Sequence, residues 1–339
     1  MERFAGIQVA RAIAALSVAY YHSKYVLAVF PEKTDYPIGY VTQNGFYGVD
    51  LFFAISGFVL CVVASKPSFD RIGFVIKRAF RIYPLWIVCC FVYWWTVSHF
   101  AVKDAEHTIA SFLLLPTSSY PLLDSGWTLQ HEIAFYLLAA LLIPLVRLPG
   151  LAAFMVAAFV ASHFVELPWW ATYLIRFYPM FLAGMIGYWL APRLAGIGWV
   201  LPLALGCFAF WTCTTYLAEP RNGLPVALLL LIVGFTNMAV ARPWRWVVLL
   251  GDASYSIYLI HSVVVSWLYK ASLHIPVPPI WTQEFIRYGA LAAICVISIW
   301  TWRYFETPIN AFGHRLAARA SARFTGFASE PAAANESKS

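Results

Sequence analysis

The chain has 339 residues, of which 61% are hydrophobic and 12% are charged. Ordinary soluble domains are about half apolar and about a quarter charged. This excess of apolar residues excludes soluble folds, coiled coils and disordered scaffolds, and it predicts an all-α, polytopic membrane protein. The formal net charge of +7 does not indicate a nucleic-acid partner, because the Lys and Arg residues lie mostly in short connections between apolar stretches.

About ten apolar runs are long enough to cross a bilayer as helices, since a helical span needs about 20 apolar residues. The runs are too long and too evenly apolar for the strands of a membrane barrel. An amphipathic segment over 69–80 and a shorter apolar piece over 108–116 are predicted to lie along the membrane surface or to re-enter it. The ten runs are 7–30, 46–65, 83–100, 126–146, 150–165, 173–190, 199–217, 224–241, 253–269 and 287–305.

The distribution of basic residues predicts the orientation of these spans. Of the 23 Lys and Arg residues, fifteen lie on the side of the N-terminus, seven lie on the other side and Arg11 lies within the first span. The positive-inside rule therefore places both termini in the cytoplasm. We expect residues 1–310 to form the membrane domain and 311–339 to be a cytoplasmic tail, disordered from about Ala317 onward because it has no apolar face to bury.

All six cysteines fall inside predicted spans, and none has a spacing typical of zinc ligands. The chain also has no phosphate-binding P-loop and no dinucleotide-binding fingerprint. We therefore predict no metal site and no permanently bound cofactor.

Two ionisable residues share one face of the first span. Arg11 and His22 are eleven residues apart, which is about three helical turns, or about 16 Å along the axis. In the predicted orientation His22 lies toward the outer side, where a histidine would take and return a proton during acyl transfer to a hydroxyl. The alternative is a structural histidine that bonds to a neighbouring helix. The position of His22 in the sequence does not favour one of these two roles over the other.

Two carboxylates are predicted at about the depth of His22. Asp50 opens the second span and Glu132 lies near the start of the fourth, and both spans enter from the outer side. A carboxylate there would fix the tautomer of His22 and stabilise its protonated form. The sequence does not choose between the two residues, and either also suits interhelical bonding or capping.

A cluster of cations precedes the third span on the cytoplasmic side. Arg78 and Arg81 are one turn apart and follow Lys77. Guanidinium pairs bind phosphoryl oxygens bidentately, so the cluster suits the phosphates of a CoA thioester. The alternative, which is the more frequent role of such clusters, is an anchor on anionic lipid headgroups.

Other polar residues within spans are candidates for supporting roles. His261 is predicted near mid-membrane, where it would donate a hydrogen bond in a buried channel or pack helices together. We expect Glu306 to pair with a cation at the inner face and Arg176 to be either an interfacial anchor or a cavity residue. The residues to which we assign a substrate-contacting or supporting role are Trp127, Ser56, His261 and Arg176.

Six motifs follow one another in the membrane region. Arg11 and His22 with ten residues between them come first, and the rest are GVDLFFAISGF at 48–58, RAFR at 78–81, WTLQHEIAFY at 127–136, GDASYSIYLIH at 251–261 and ETP at 306–308. Through these six motifs and their order, the sequence resembles acyltransferase family 3. That family includes O-acetyltransferases that modify exopolysaccharides and lipopolysaccharides.

The resemblance implies a membrane enzyme that moves an acyl group, acetyl by preference, from cytoplasmic acyl-CoA to a hydroxyl of a saccharide on the outer side. It implies that His22 is the catalytic base or a transient acyl acceptor, that Arg78 and Arg81 contact the CoA phosphates, and that Arg11 supports them. It also implies the inner membrane of a bacterium. The expected partners are acyl-CoA, a saccharide acceptor and the lipid bilayer.

Two other functions fit the composition. A secondary transporter or flippase would use the buried Arg, His and Glu residues as a coupled proton pathway, although no inverted repeat is visible in the sequence. A non-catalytic membrane scaffold would tolerate changes at His22, Arg78 and Arg81.

Overall fold

The computed structural model describes residues 4–27, 39–66, 69–97, 104–239, 244–274 and 276–328. Every regular element in these ranges is a helix, which agrees with the predicted fold class. The α-helices are α1 Ala5–Ser23, α2 Gly39–Asn44, α3 Gly48–Ala64, α4 Arg71–Thr96, α5 Ala105–Leu113, α6 Gly126–Ala161, α7 Trp169–Ile175, α8 Tyr178–Leu190, α9 Val200–Tyr216, α10 Leu224–Asn237, α11 Arg245–Asp252, α12 Ser254–Ser272, α13 Ile280–Thr301 and α14 Thr307–Ala328.

Three helical stretches of the described chain are long and apolar enough to cross a membrane: Gly39–Ala64, Gly126–Ala161 and Ile280–Ala322. Helices α11 and α12 make a fourth candidate, bent by 65° at their junction. Bulky apolar side chains cover the outer faces of the bundle, with Leu141 62% and Phe285 76% exposed, as expected for helices that face lipid. The chain is thus an integral membrane protein, while ten spans and two cytoplasmic termini remain predictions.

Helix α1 lies at the centre of the bundle and packs against α3, α10, α11 and α12. Its small side chains make this possible, because they let neighbouring backbones approach closely. The five alanines that are almost fully buried are Ala10, Ala12, Ala14, Ala15 and Ala19. Since α1 carries both Arg11 and His22, its central position brings these residues within reach of several other helices.

Helices α3 and α8 interlock through a glycine on each. A Cβ atom at Gly57 would lie 2.1 Å from the carbonyl oxygen of Phe181, and one at Gly184 would lie 1.7 Å from the carbonyl oxygen of Ala54. No side chain fits at these distances, so glycine is required at both positions.

The segment over 69–80 differs from its prediction. It is not a separate surface helix, because α4 runs without interruption from Arg71 to Thr96 and continues through Pro84. Asp70 caps the start of α4 by accepting a hydrogen bond from the backbone nitrogen of Gly73. The polar first turns and the apolar later turns therefore form one continuous helix.

Two predicted spans are joined in α6, and another is divided. The backbone at Arg147 has φ 59 and ψ −177, so α6 consists of two helices that meet between Pro144 and Pro149. This break agrees with the predicted gap between runs 126–146 and 150–165. Run 173–190 is split into α7 and α8, which meet at Arg176 and Phe177. The ends of three runs, at 28–30, 98–100 and 240–241, lie outside the described residues.

The C-terminal region is helical further than its composition predicts. Helix α13 continues through a π-helical segment, Trp302–Glu306, into α14, which ends at Ala328. Helix α14 packs on α4, with the rings of Phe80 and Phe312 5.6 Å apart, and Ser321 donates a hydrogen bond to Asp70. Two small residues of α14 allow this packing: a Cβ at Gly313 would lie 2.5 Å from the Cβ of Phe80, and Ala317 is fully buried. We had expected disorder from Ala317 onward, because the composition offers no apolar face to bury. Residues 329–339, the rest of the predicted tail, lie outside the described part of the chain.

Candidate active site

Three arginines line one small cavity inside the bundle. This cavity has a volume of about 160 Å³, and Arg11 of α1 contributes to its wall together with Arg78 and Arg81 of α4. We call it the arginine cavity. The side chain of Arg11 donates to Gln8 over 3.3 Å, and Gln8 donates to Asp252 over 2.7 Å. This chain of hydrogen bonds fixes α1 to the end of α11 and positions the Arg11 guanidinium.

Glu132 lies in the wall of the arginine cavity and not beside His22. Its carboxylate accepts hydrogen bonds from Ser56 over 2.9 Å and from Tyr136 over 2.6 Å. The guanidinium carbon of Arg78 lies 4.5 Å from the centre of the Tyr136 ring. Glu132 and Ser56 therefore bond to each other in the wall of the arginine cavity. In the described part of the chain, neither the hydrogen bonds of Glu132 nor those of His22 join the two residues, although we had expected Glu132 to support His22.

His22 contacts a second histidine. The Nδ1 atom of His22 lies 2.9 Å from the carbonyl oxygen of Val18 and 3.3 Å from Nε2 of His261. The Nδ1 atom of His261 lies 3.2 Å from the carbonyl oxygen of Ile257. His261 is buried, and α12 holds its ring against α1.

These contacts assign a tautomer to each ring. A carbonyl oxygen only accepts, so Nδ1 of His261 carries a proton and its Nε2 is left as an acceptor. Nδ1 of His22 then donates to Val18 and to Nε2 of His261, which leaves Nε2 of His22 as the basic atom of the ring. His261 thereby occupies the place that we had expected a carboxylate to fill.

Asp50 is also separated from His22. It is fully buried and accepts from Arg221, with Nε 3.1 Å from Oδ1 and Nη2 3.5 Å from Oδ2. Arg221 is not among the residues predicted from the sequence, because 171 positions separate the two partners and no local motif links them. The opposite charges of Asp50 and Arg221 were a signal that the two residues could pair. The predicted depth of a residue in the membrane, however, does not show which helices face each other.

His22 and His261 open into a large cavity of about 1020 Å³, which we call the histidine cavity. Its wall is rich in aromatic rings and hydroxyl groups, which are the groups that stack on sugar rings and bond to their hydroxyls. Examples are Tyr21, Tyr173, Trp127, Ser125 and Ser262. The cavity is therefore suited to a polar, ring-shaped ligand.

The two cavities meet at Val49 and Tyr258, which belong to both walls. The hydroxyl of Tyr258 lies 2.8 Å from that of Thr128 and 3.1 Å from the carbonyl oxygen of Ser125. These bonds hold the Tyr258 ring at the boundary. A ligand that reaches from the arginine cavity to His22 has to pass this ring.

The model of an acyltransferase domain family, acyltransferase family 3, matches residues 4–303. The chain belongs to this family. The resemblance deduced from the six motifs is thus confirmed, and the match spans both cavities.

Two curated proteins are similar over most of their length. The chain is 32% identical over 336 residues to "Exopolysaccharide production protein ExoZ" of Rhizobium meliloti (strain 1021), which covers 88% of this chain and 98% of that protein. It is 25% identical over 311 residues to "Putative membrane-bound transacylase BcsY" of Komagataeibacter xylinus, which covers 76% of this chain and 74% of that protein. No solved structure matches the chain.

Three other residues that were predicted to belong to the site do not line the arginine cavity. Trp127 and Arg176 of this acyltransferase line the histidine cavity. Lys77 is exposed and does not line the arginine cavity, although it adjoins Arg78 in α4. Of the candidate donor-binding cations, the cavity therefore brings together Arg11, Arg78 and Arg81.

Glu306 differs from its prediction. It is buried in the π-helical segment and accepts a hydrogen bond from Ser256 of α12. Within the described ranges no Lys or Arg lies within ion-pair distance of its carboxylate. Glu306 thus connects α12 to the end of α13 through a hydroxyl, not through the cation that we had expected.

Among the residues that the structure describes, no three His, Cys, Asp or Glu side chains form a group that could hold a metal ion. The cysteines that we predicted inside spans are free thiols in the described structure.

Proposed function

We propose that this acyltransferase moves an acyl group, acetyl by preference, from CoA to a hydroxyl of a saccharide, with His22 as the base. The observation that carries the proposal is the arrangement of the two cavities. A basic cavity and a cavity rich in aromatic and hydroxyl groups meet inside one bundle, and His22 opens into the second.

The arginine cavity supplies the donor site in this proposal. Arg78 and Arg81 bind the phosphates of acyl-CoA, and Arg11 lies further along the path of the pantetheine arm. The cavity is small, so the adenosine part of CoA stays outside it. Arg11 and His22 are separated by about 16 Å along α1, and the pantetheine arm is an extended chain that spans this order of distance.

His22 carries out the chemistry. Its Nε2 atom takes the proton of the acceptor hydroxyl, and the oxygen attacks the carbonyl carbon of the thioester. The carbon–sulfur bond breaks, and the CoA thiolate takes the proton from the imidazolium. In a second route Nε2 of His22 attacks the thioester carbonyl and displaces the CoA thiolate. The acceptor hydroxyl then attacks the acyl-imidazolium, its proton passes to the thiolate, and His22 is released. Both routes need the tautomer that the contact with His261 favours, and burial of the thioester keeps water away from it.

The saccharide class of the acceptor is supported by the printed role of ExoZ in exopolysaccharide production and by the lining of the histidine cavity. We infer that the arginine cavity faces the cytoplasm, because acyl-CoA is made there and basic residues favour that side. The histidine cavity then faces outward, and the inner membrane of a bacterium is the setting that these features suit.

The test is transfer of radiolabel from acetyl-CoA to the envelope saccharides of membranes that carry the protein. Wild type transfers label, while His22→Ala and the Arg78→Ala/Arg81→Ala double variant lose transfer. Matched controls are His163→Ala and Arg193→Ala, which change exposed residues outside both cavities. Label that persists in folded His22→Ala would contradict the proposal, and proton-coupled uptake without any thioester would favour the transporter.

A further inference from the structure

Two guanidinium groups flank one aromatic ring in the wall of the histidine cavity. The guanidinium carbon of Arg176 lies 5.6 Å from the centre of the Phe177 ring, and that of Arg221 lies 5.0 Å from it. Both arginines line the cavity into which His22 opens. The two cations come from different parts of the chain, since Arg176 follows α7 and Arg221 precedes α10.

Arg221 is held rigidly. Its Nε and Nη2 atoms bond to the buried carboxylate of Asp50, and its guanidinium carbon lies 5.7 Å from the centre of the Tyr47 ring. Neither bond to Asp50 uses Nη1, and 29% of the Arg221 side chain remains exposed. Asp50 therefore fixes the orientation of the guanidinium and leaves one of its edges available to a ligand.

Arg176 has a different environment. In the part of the chain that the structure describes, no carboxylate lies within ion-pair distance of it. Its side chain is exposed and rests against Phe177. An arginine at the end of α7 also complements the helix dipole, but that role does not require a second guanidinium on the same ring.

The histidine cavity as a whole has more positive than negative groups. Its charged lining residues are Arg176, Arg221, Lys270 and Asp124. Burial disfavours the charged form of the Asp124 carboxyl and raises its pKa above the ordinary value. Asp50 neutralises Arg221 in part, so the unbalanced charge lies around Arg176 and Lys270.

We propose that Arg176 and Arg221 bind an anionic group of the acceptor, so that the enzyme acts on a saccharide that carries, or is attached to, an oxyanion. The anion is a sugar carboxylate or the phosphate of a lipid carrier that bears the saccharide. Both are planar or branched oxyanions that two guanidinium groups bind through charge-assisted hydrogen bonds. This inference rests on the proposed function and adds the class of acceptor to it.

The anion would set the position of the saccharide relative to His22. The aromatic and hydroxyl groups of the cavity stack on and bond to any sugar, so they select no single hydroxyl. A fixed anion site at Phe177 adds a reference point, and the hydroxyl at the matching distance is the one that meets Nε2 of His22. The two arginines are in this sense determinants of specificity.

The experiment is equilibrium binding to the purified full chain in detergent, with three probes. The first is an oligosaccharide that contains glucuronic acid, the second is its carboxyl-reduced neutral form, and the third is a neutral oligosaccharide on polyprenyl diphosphate. Each is measured with wild type, Arg176→Gln, Arg176→Lys and the exposed control Arg193→Gln.

We expect wild type to bind an anionic probe about tenfold more tightly than the neutral one, which is the effect of one charge-assisted contact of about 1.4 kcal/mol. Arg176→Gln removes this preference, Arg176→Lys retains part of it, and Arg193→Gln retains all of it. Preference for the first probe identifies a sugar carboxylate, and preference for the third identifies the carrier phosphate.

Equal affinity for all three probes would overturn the inference, as would a preference that survives Arg176→Gln. Absence of binding by both anionic probes to protein that still binds acetyl-CoA would overturn it too. The proposed function is decided separately, because label transfer from acetyl-CoA by wild type does not depend on these probes. Transfer with no anionic preference leaves the acyltransferase standing and removes the acidic acceptor.

Discussion

The arginine cavity and the histidine cavity are built on the same central helix, yet they differ in size and lining. The first has about 160 Å³ and places three arginines around Glu132, Ser56 and Tyr136. The second has about 1020 Å³ and surrounds His22 with rings and hydroxyls. A narrow basic site fits an extended phosphate-bearing donor, and a wide aromatic site fits a saccharide.

Helix α1 contributes to both cavities along its length. Arg11 lines the arginine cavity and His22 the histidine cavity, and Val49 and Tyr258 form the boundary between them. In the proposed function this arrangement separates donor binding from chemistry. Gly184→Val and Arg221→Ala test the packing that supports the two cavities, while His261→Ala and Tyr258→Phe test whether the cavities have separate roles.

Gly184→Val should have the largest effect, because it damages the packing of α3 on α8, on which both cavities depend. A Cβ at this position would lie 1.7 Å from the carbonyl oxygen of Ala54, so the helices have to separate. We expect a loss of stability above about 4 kcal/mol, seen as little folded protein by fluorescence-detected size exclusion. Gly196→Ala is the control, since nothing lies within 4 Å of a Cβ there. Folded Gly184→Val would contradict the packing described.

Arg221→Ala should lower the stability of the protein through a change in the wall of the histidine cavity, since Arg221 does not line the arginine cavity. It leaves the carboxylate of Asp50 buried without its partner, which costs about 3–5 kcal/mol. Thermal unfolding in detergent measures the loss. The neutral pair Asp50→Asn with Arg221→Gln should recover most of it, because no buried charge remains unpaired. An equal loss in the single and double variants would show that the ion pair is not the cause.

His261→Ala should reduce turnover by about 10–100-fold, by analogy with the loss of a partner that orients a metal-ligating histidine. The apparent KM for acetyl-CoA should stay constant, because His261 does not line the arginine cavity. His261→Gln, which retains an acceptor, should recover part of the turnover. Steady-state transfer kinetics measure both constants, and a rise in KM without a change in turnover would contradict a role through His22.

Tyr258→Phe should have the smallest effect. It removes the hydrogen bonds to Thr128 and Ser125 but keeps the ring at the boundary. Since neutral hydrogen bonds contribute about 1 kcal/mol each, we expect a loss of stability of about 1–2 kcal/mol and a modest fall in transfer. Thermal unfolding and the transfer assay measure these, and a loss of transfer as large as that in His22→Ala would mean that the hydroxyl itself takes part in the reaction.

Much of this arrangement can be predicted from the sequence. The spacing of Arg11 and His22 gives their shared face, and the cluster with Arg78 and Arg81 gives a candidate phosphate site, because both depend on short-range helical geometry. The family follows from six motifs in order. All of these signals lie within single helices or between adjacent residues.

The partners across helices could not be predicted. Asp50, Glu132 and His22 were assigned to one depth, but depth does not fix the direction in which each residue points around its helix axis. The bundle turns Asp50 toward Arg221 and Glu132 toward Tyr136, while His261 meets His22. Long-range packing decides these pairs, and no local pattern records it.

The most direct test of the separate roles measures acetyl-CoA binding and acetyl transfer in the same samples of purified protein. His22→Ala should bind acetyl-CoA with wild-type affinity and lose at least about 100-fold in transfer, in the range of general-base catalysis. The Arg78→Ala/Arg81→Ala variant should lose binding of acetyl-CoA by about tenfold or more. Wild-type transfer in folded His22→Ala, or wild-type affinity in the double variant, would contradict the account.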